Sequence, residues 1–317
     1  SFCNPDFELI DSIVVDQSEA GFLLGRILVA NQFGTIMTGF MPDPNNGSRY
    51  MAFKTYSKSI SNWEPSVISN TRRSTGGHFF GRTVFGLKDF LFVGAPFDAT
   101  VRTDAGAVYT YQKQSNGWER TGKLLAPIND LYDRAFGTAV AANERFLAIG
   151  AAGFDQKGRV FMYRKEGPGW ENPTLAQIIK IPEDTLIVYA YGDHLDMNEE
   201  WLVVPYVQNS PARIFVALFQ FDGSTWTFYQ AVDVGMANFF AKESTLDVDI
   251  EGNVIIAGPS ILILGANGRW RSEHSLLQTD PEPFQVLPGF TGIVSNGDFF
   301  GYSVAIHDST IFVSAPT

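Results

Sequence analysis

The sequence predicts an all-β protein, a β-propeller built from four-stranded blades. Three recurring features predict this class: tryptophans about fifty residues apart, aromatic-Gly pairs, and Gly-Ala-Pro-like triplets that follow those pairs. A repeat of this size cannot bury its own apolar faces, so it must stack on its neighbours. Gly (30 residues) and Phe (27 residues) are abundant, which is typical of a folded chain with many turns.

The tryptophans mark the fourth strand of each blade. Five of the six recur at one place in the repeat: Trp63, Trp118, Trp170, Trp226 and Trp270. Four of these follow a turn signal that is typical of β-hairpins: Asn116-Gly117, Pro168-Gly169, Asp222-Gly223 and Asn267-Gly268. An apolar or aromatic segment precedes each tryptophan and is predicted to be the third strand: 50–53, 107–111, 159–163, 214–219 and 261–264.

The first two strands of each blade lie between the aromatic-Gly pair and the triplet. Phe80-Gly81 is followed fourteen residues later by Gly94-Ala95-Pro96. The same interval recurs in the repeats that begin at Leu24, Phe136, Tyr191 and Phe300, whereas the repeat at Phe240 is looser. A twisted sheet has two apolar faces, and a closed ring of sheets gives each face a neighbour while leaving only short edges.

The repeats predict a single domain over residues 1–317. Five complete blades are predicted at about 20–70, 77–127, 134–182, 188–235 and 239–290, and a sixth is split between the termini, combining 298–317 with 5–17. Phe7 to Ile10 matches the Trp-Glu strand that closes other blades, but the split blade lacks a third strand. We therefore expect a chain that is trimmed, cleaved or incompletely represented. Six blades is the economical count, and seven would require a further blade beyond Thr317.

The motifs resemble the FG-GAP repeat of integrin α-chain propellers. Residues 77–126 carry the resemblance best, through Phe80-Gly81, Gly94-Ala95-Pro96 and the strand Gly106-Ala107-Val108-Tyr109, and residues 134–181 and 298–316 also match. The resemblance implies a propeller in an extracellular or cell-surface protein. It also implies calcium, which that family binds in the turn between the first two strands of a blade.

Asp247, Asp249 and Glu251 form the nearest match to such a calcium loop. Calcium sites supply several carboxylate oxygens at once. The alternative is a structural turn, because alignment of the repeats places Asp249 in the column of Asn143 and Asn198, residues that start tight turns. The loop is also shorter than the family's cation loop. Calcium is the single cofactor that the sequence suggests.

Charge and cysteine content exclude several classes of partner. The formal net charge is −11 and the pI is about 4.8, whereas nucleic acids and anionic membranes are bound by basic surfaces. No apolar run approaches the length of about 20 residues that spans a bilayer, so direct membrane insertion is not expected. Cys3 is the single cysteine, which rules out an internal disulfide. A glycosylation sequon at Asn46 fits a secreted glycoprotein.

One pair of carboxylates is a candidate for acid–base chemistry. Asp196 and Asp247 align in one column of neighbouring blades, near His194, where other blades carry apolar or small residues. Paired carboxylates can divide acid and base roles between them, or they can face a watery central channel.

A sialidase-like glycoside hydrolase is the nearest enzymatic alternative. Residues 222–226 (Asp-Gly-Ser-Thr-Trp) resemble the hairpin turn of those propellers but lack the residue between Asp and Gly, so a two-residue hairpin turn is the competing interpretation. The sequence contains no nucleophile elbow, HExxH zinc motif or phosphate loop. We therefore expect no catalytic activity.

The remaining hypothesis is a binding or structural module. Candidate surface residues lie in the longer connections between strands: Arg72, Arg73, His78, Asp98, Arg102 and Asp104. The first reading is an extracellular module that mediates protein–protein adhesion or the assembly of a surface structure, within a larger chain or assembly. The alternative is a lectin-like propeller that holds glycans between blades, which predicts similar pockets repeated around the ring.

Overall fold

A computed structural model of the chain describes residues 28–31, 34–42, 49–58, 63–69, 80–115, 117–127, 134–153, 158–181, 188–208, 213–236, 247–258, 260–275, 304–307 and 310–313. This described part consists of β-strands joined by turns and contains no helix. Within it there is accordingly no helical segment long and apolar enough to cross a membrane. The prediction of an all-β protein is confirmed.

The first three sheets each have four antiparallel strands in chain order. Sheet 1 comprises β1 (Leu28–Asn31), β2 (Gly34–Pro42), β3 (Arg49–Lys58) and β4 (Trp63–Ser69). Sheet 2 comprises β5 (Thr83–Leu87), β6 (Phe90–Ala95), β7 (Ala107–Gln114) and β8 (Gly117–Leu125). Sheet 3 comprises β9 (Phe136–Ala142), β10 (Phe146–Ala151), β11 (Arg159–Arg164) and β12 (Thr174–Ile179).

The remaining sheets vary this plan. The first strand of sheet 4 is interrupted, because β13 (Val188–Tyr189) and β14 (Asp196–Met197) pair with opposite ends of β15 (Trp201–Gln208), which precedes β16 (Arg213–Phe221) and β17 (Trp226–Met236). Sheet 5 comprises β18 (Val248–Glu251), β19 (Val254–Ala257), β20 (Ser260–Leu264) and β21 (Trp270–Ser275). Sheet 6 has two strands, β22 (Val304–His307) and β23 (Thr310–Val313).

The sheets follow one another as propeller blades do. The first strand of each sheet contacts the first strand of the next, through the pairs β1–β5, β5–β9, β9–β14, β14–β18 and β18–β22. First strands that meet in this order line a common axis, with the fourth strands outermost. The described residues therefore form five complete four-stranded blades and a two-stranded sheet in the position of the first half of a sixth. The predicted closing segment 5–17 lies outside the described residues.

The tryptophans stand where the repeat predicts them. Trp63, Trp226 and Trp270 each begin a fourth strand, and Trp118 is the second residue of β8. Trp170 lies before β12 instead, because Pro173 immediately before that strand has no N–H to contribute to the sheet. Three indole rings pack edge-on against the second strand of the preceding sheet: Trp170 on Phe92 at 5.3 Å, Trp226 on Phe146 at 5.7 Å and Trp270 on Trp201 at 5.5 Å between centroids. These rings help to form the apolar core between blades.

The two glycine motifs of the repeat meet across the blade interface. A Cβ atom on Gly94, in the triplet of sheet 2, would collide with the carbonyl oxygen of Gly137, in the Phe-Gly pair of sheet 3. Gly150 and Gly192 repeat this contact between sheets 3 and 4. Gly137 and Gly192 also have positive φ angles of 91° and 83°, which side chains disfavour. Both motifs therefore carry glycine because neighbouring backbones touch there.

Two glutamines each link the fourth strand of one sheet to the fourth strand of the next sheet through hydrogen bonds. Gln177 of β12 donates from Nε2 to the carbonyl oxygen of Trp226 at 2.7 Å and accepts the Trp226 N–H at Oε1 at 2.9 Å. Gln230 of β17 makes the same two bonds to Trp270, at 2.8 and 3.2 Å. Since buried backbone groups must be paired, each glutamine satisfies two groups that the ladder leaves unbonded.

Candidate functional site

The strand register corrects the alignment of the acidic residues. Asp196 pairs with Val203, the third residue of β15, and Asp249 pairs with Ile256, the third residue of β19. Asp249, and not Asp247, is therefore the counterpart of Asp196. The alignment was wrong by two residues because the fifth repeat is irregular and a two-residue shift preserves the alternation of a strand.

Asp196 and Asp249 meet at the interface between sheets 4 and 5. Their carboxyl groups are hydrogen-bonded to each other, and Asp196 Oδ2 also accepts the N–H of Ile250 at 2.9 Å. Burial raises the pKa of Asp196 well above its ordinary value, and the negative charge and hydrogen bond of Asp249 raise it further. The backbone N–H groups of Ile250 and Met197 oppose this rise without cancelling it. The protonated form of Asp196 is therefore favoured at this interface.

A second acidic contact lies two residues before each member of this pair, ahead of β14 and β18. His194 Nδ1 and Asp247 Oδ1 are 3.4 Å apart, and about a quarter of each side chain is exposed. Burial opposes protonation of His194, but the hydrogen bond to Asp247 and the charges of Asp193 and Asp247 outweigh burial and raise the pKa of the imidazole. His194 and Asp247 therefore form an ion pair when the ring is protonated.

The same carboxylates hold sheet 6 against sheet 5. Asp247 Oδ2 accepts the N–H of Val304 at 2.8 Å, and Asp249 Oδ2 accepts the N–H of Ile306 at 2.7 Å. Together with the Asp196–Ile250 bond, these contacts give the acidic side chains a role in joining consecutive first strands.

The described residues around Asp247, Asp249 and Glu251 do not form a set of calcium ligands. Asp247 and Asp249 each use one oxygen for a backbone N–H of β22. Within the described part of the chain, no three acidic or histidine side chains converge as a metal site would require. Glu251, rather than Asp249, occupies the turn-starting column, because it pairs with Val254 at the turn. Calcium binding by these three residues stays a prediction.

The turn-starting asparagines do what the sequence predicts. Asn143 Oδ1 accepts the N–H groups of Arg145 and Phe146, and its Nδ2 donates to the carbonyl oxygen of Asn198 in the next sheet. Asn198 repeats the arrangement and donates to the carbonyl oxygen of Gly252. Each asparagine therefore closes its own turn and ties that turn to the following blade.

The sialidase-like sequence forms a two-residue hairpin turn. Asp222 and Thr225 flank Gly223 and Ser224, and the Asp222 N–H donates to the Thr225 carbonyl oxygen at 3.1 Å. Asp222 Oδ1 accepts the N–H groups of Ser224 and Thr225, both at 2.8 Å. These bonds lower the pKa of Asp222 to about 2. Its carboxylate is occupied in closing the turn.

Asp98 was predicted to lie on the surface, and that prediction is wrong. The residue is 5% exposed, because Tyr109 Oη at 2.7 Å, Lys123 Nζ at 2.9 Å and the Thr100 N–H at 2.9 Å enclose its carboxylate. Burial opposes its ionisation, but the hydrogen bonds from Thr100, Lys123 and Tyr109 outweigh burial and lower the pKa to about 2. Asp98 is an internal brace of sheet 2.

The other predicted surface and modification residues are divided between described and undescribed parts of the chain. Arg102 and Asp104 are partly exposed in the connection between β6 and β7, and Asp104 has a positive φ of 58°. Arg72, Arg73, His78, Asn46 and Cys3 lie outside the described residues.

A groove opens between sheets 3 and 4, and we call it the rim groove. Its volume is about 690 Å³, and its lining includes Arg145, Phe146, Arg164, Lys165, Phe221 and Ser224. These residues come from the turn between β9 and β10 and from the hairpins that join the third and fourth strands. In an antiparallel sheet those turns lie at the same end, so the groove opens on one rim of the propeller.

Three cations of sheet 3 line the rim groove. The Arg145 guanidinium lies over the Phe221 ring of sheet 4, at 4.9 Å from its centroid, and Arg145 Nε is 3.4 Å from Glu199. Arg164 Nε is 3.1 Å from Glu166, and Lys165 Nζ lies 5.5 Å from the Trp170 centroid. The groove combines cations with aromatic rings on a protein of net charge −11.

The combination of three cations in the rim groove is not repeated in the other described sheets, although Lys113 of sheet 2 matches Lys165. Lys165 donates its N–H to the carbonyl oxygen of Arg145, and the same bond marks the equivalent pairs in other sheets: Lys113 and Asp89, Phe221 and Glu200, Leu264 and Asn253. Sequence reasoning missed Arg145, Arg164 and Lys165 because it compared strand motifs only. Aligning the turn positions of each repeat would have shown their charge.

Comparison with known proteins gives little further information. No protein-family model matches the chain, and no curated protein matches it. Among solved structures, an acylaminoacyl peptidase from Pyrococcus horikoshii resembles it with a TM-score of 0.33 and 7% identity, over 78% of this chain and 44% of the peptidase chain. A likeness this weak carries no argument about fold or activity.

Proposed function

We propose that this protein is a non-catalytic extracellular or cell-surface module that binds a protein partner, in adhesion or in the assembly of a surface structure. The FG-GAP-like motifs and the Asn46 sequon support the location. The fixed contacts between blades support the binding role, because a rigid scaffold can present a preformed surface at little entropic cost.

The rim groove is the observation that carries this proposal. It is concave, it combines charged with aromatic side chains, and two adjacent blades hold it in place. Arginine and aromatic residues are enriched in protein interfaces. By contrast, the described carboxylates of the first strands are engaged in contacts between blades, which argues against a hydrolytic role for them.

Photo-cross-linking tests the proposal. A photoreactive residue in place of Ala176, which is exposed in the lining of the rim groove, should capture a partner from native surface material. The same residue in place of the exposed Glu119 of β8 is the matched control. The captured protein must then bind the purified wild-type chain saturably and without being chemically altered. Capture at both positions alike, no saturable binding, or turnover of the captured molecule would overturn the proposal.

A lectin-like function is the second candidate. The observation that favours it is the position and size of the rim groove, which lies between blades and falls in the range of about 300 to 1,000 Å³ of small-molecule sites. A glycan array should then show selective binding of one sugar class, and a Phe221→Ala variant should lose that binding. Failure of every sugar to bind would remove this candidate and leave the protein-binding module standing.

A further inference from the structure

We propose that the rim groove docks an acidic segment of the protein partner, with the partner's carboxylates bound by Arg145, Arg164 and Lys165. This inference rests on the proposed function and names the chemistry of the ligand for that site. Its starting point is the concentration of three cations in one groove of a protein of net charge −11, where the acidic residue of the described lining, Glu144, is paired with Lys88 at 2.8 Å.

Arg145 is oriented for a carboxylate. Its guanidinium lies over the Phe221 ring at 4.9 Å and is 5.7 Å from the Phe146 centroid. Stacking on an aromatic ring uses the face of the guanidinium, whereas recognition of a carboxylate uses its N–H edge. The two aromatic rings therefore fix the plane of Arg145 without using its full hydrogen-bonding capacity.

The present partners of the two arginines are replaceable. Glu199 bonds Arg145 and Glu166 bonds Arg164, and the side chains of both pairs are between 42% and 59% exposed. Exposed ion pairs contribute little to stability. A partner's carboxylates can therefore displace Glu199 and Glu166 from the two arginines at small cost.

Lys165 completes the cationic wall. Its ammonium lies 5.1 Å from the Phe90 centroid and 5.5 Å from the Trp170 centroid. Among the described residues it has aromatic rings but no carboxylate as its partner. Its charge is therefore the least compensated of the three.

A single site favours a protein segment over a repeated sugar. The equivalent turn positions carry Asp89, Gln112 and Lys113 in sheet 2, Glu200, Gln220 and Phe221 in sheet 4, and Asn253, Ile263 and Leu264 in sheet 5. A lectin that holds sugars between blades needs the same set of ligands in several blades, and among the described sheets only the lysine recurs. The three cations stand together in one groove of the described sheets, which gives a partner one orientation, as an assembly contact requires.

Fluorescence anisotropy with a labelled peptide rich in Glu and Ser tests the inference, with its Gln-for-Glu counterpart as the neutral probe. We expect the acidic peptide to bind the wild-type protein and the neutral peptide not to bind. Arg145→Gln and Lys165→Gln should each weaken binding roughly tenfold, because each removes a charged hydrogen-bond donor. Glu199→Gln should tighten binding, because it removes the carboxylate that competes for Arg145.

Lys113→Gln is the matched control. Lys113 holds the equivalent position in sheet 2 and lies over Trp118 at 5.3 Å. Its loss should therefore leave peptide binding unchanged and should destabilise the fold no more than the loss of Lys165 does. Equal melting temperatures of Lys165→Gln and Lys113→Gln separate a binding defect from a folding defect.

The inference would be overturned by a lack of binding of the acidic peptide to the wild type, or by unchanged binding in both Arg145→Gln and Lys165→Gln. Binding of an oligogalacturonate in the groove without binding of the peptide would also overturn it. None of these results would contradict the proposed function. That function is contradicted if no cross-linked partner binds the protein saturably. If a captured partner bound Arg145→Gln as tightly as the wild type, the proposed function would stand, but the rim groove would not be the site that binds the partner's carboxylates.

Discussion

At the scale of single residues, the carboxyl pair of Asp196 and Asp249 couples stability to pH. The pKa of Asp196 is raised in the folded protein, so the folded chain retains a proton that the unfolded chain releases above about pH 4. The stability from this group is complete below that pH and is lost as the pH rises through the raised pKa.

We expect Asp196→Asn to remove this loss. The amide is neutral at every pH. The variant should therefore be as stable as the wild type near pH 4 and more stable near pH 6, by on the order of 1 kcal/mol of unfolding free energy for each unit of pKa shift. Thermal melting across this range measures the difference. His194 also has a raised pKa but titrates above about 6.5, outside this window.

Asp222→Asn is the control for that experiment. The pKa of Asp222 is lowered to about 2, so its contribution does not change between about pH 4 and 6. If Asp196→Asn melted below the wild type at both pH values, the raised pKa assigned to Asp196 would be contradicted.

Asp98 should behave with the opposite sign. Its pKa is lowered to about 2, so its contribution is present above about pH 4, the ordinary Asp value, and is lost as the pH falls through 2. Asp98→Asn leaves the Lys123 ammonium beside a neutral group and should cost about 3 kcal/mol at neutral pH. Chemical denaturation at about pH 7 and at about pH 3 measures this, and an equal loss at both would contradict the assigned ion pair.

At the scale of elements, the glycine contacts decide whether neighbouring blades can close on each other. Gly150→Ala places a methyl group against the Gly192 carbonyl oxygen and should destabilise the protein by about 3 kcal/mol or more. Gly167→Ala is the control, because nothing lies within 4 Å of its added Cβ. Urea unfolding compares the two. A Gly150→Ala variant as stable as Gly167→Ala would show that the backbones do not touch.

The strands could be predicted from the sequence because their signals are local. The tryptophans and turn pairs follow the alternation of the strands, and the glycine motifs include positions of positive φ. Four of the five tryptophans accordingly fall within a fourth strand. The Gln177–Trp226 and Gln230–Trp270 bonds could not be predicted in the same way, because a glutamine on a strand gives no sign of its partner in another repeat.

The candidate sites were harder to predict than the strands. Asp247 was assigned to the column of Asp196 because alternation conceals a two-residue shift, and only hydrogen-bond register resolves it. Asp98 was placed on the surface because a charged residue in a loop is usually solvated. Its partner Lys123 lies 25 residues further along the chain, on the outermost strand of the same sheet.

At the scale of the whole molecule, blades of one plan differ where they meet the rim. Gln and Asn side chains, glycine backbones and stacked indoles join consecutive sheets in similar ways. Apart from the turn asparagines, the turn residues differ between the described blades, and one pair of blades carries the cationic rim groove. The repeated parts build the scaffold, and these differing turns are the parts on which the proposed partner site depends.

The six described sheets surround one axis as a propeller. Small-angle X-ray scattering of the purified chain tests this arrangement, because a compact fold of this length has a radius of gyration of about 20 Å. We predict that value and a single-peaked distance distribution. A clearly larger radius with an elongated distribution would show an open row of sheets and would contradict a propeller.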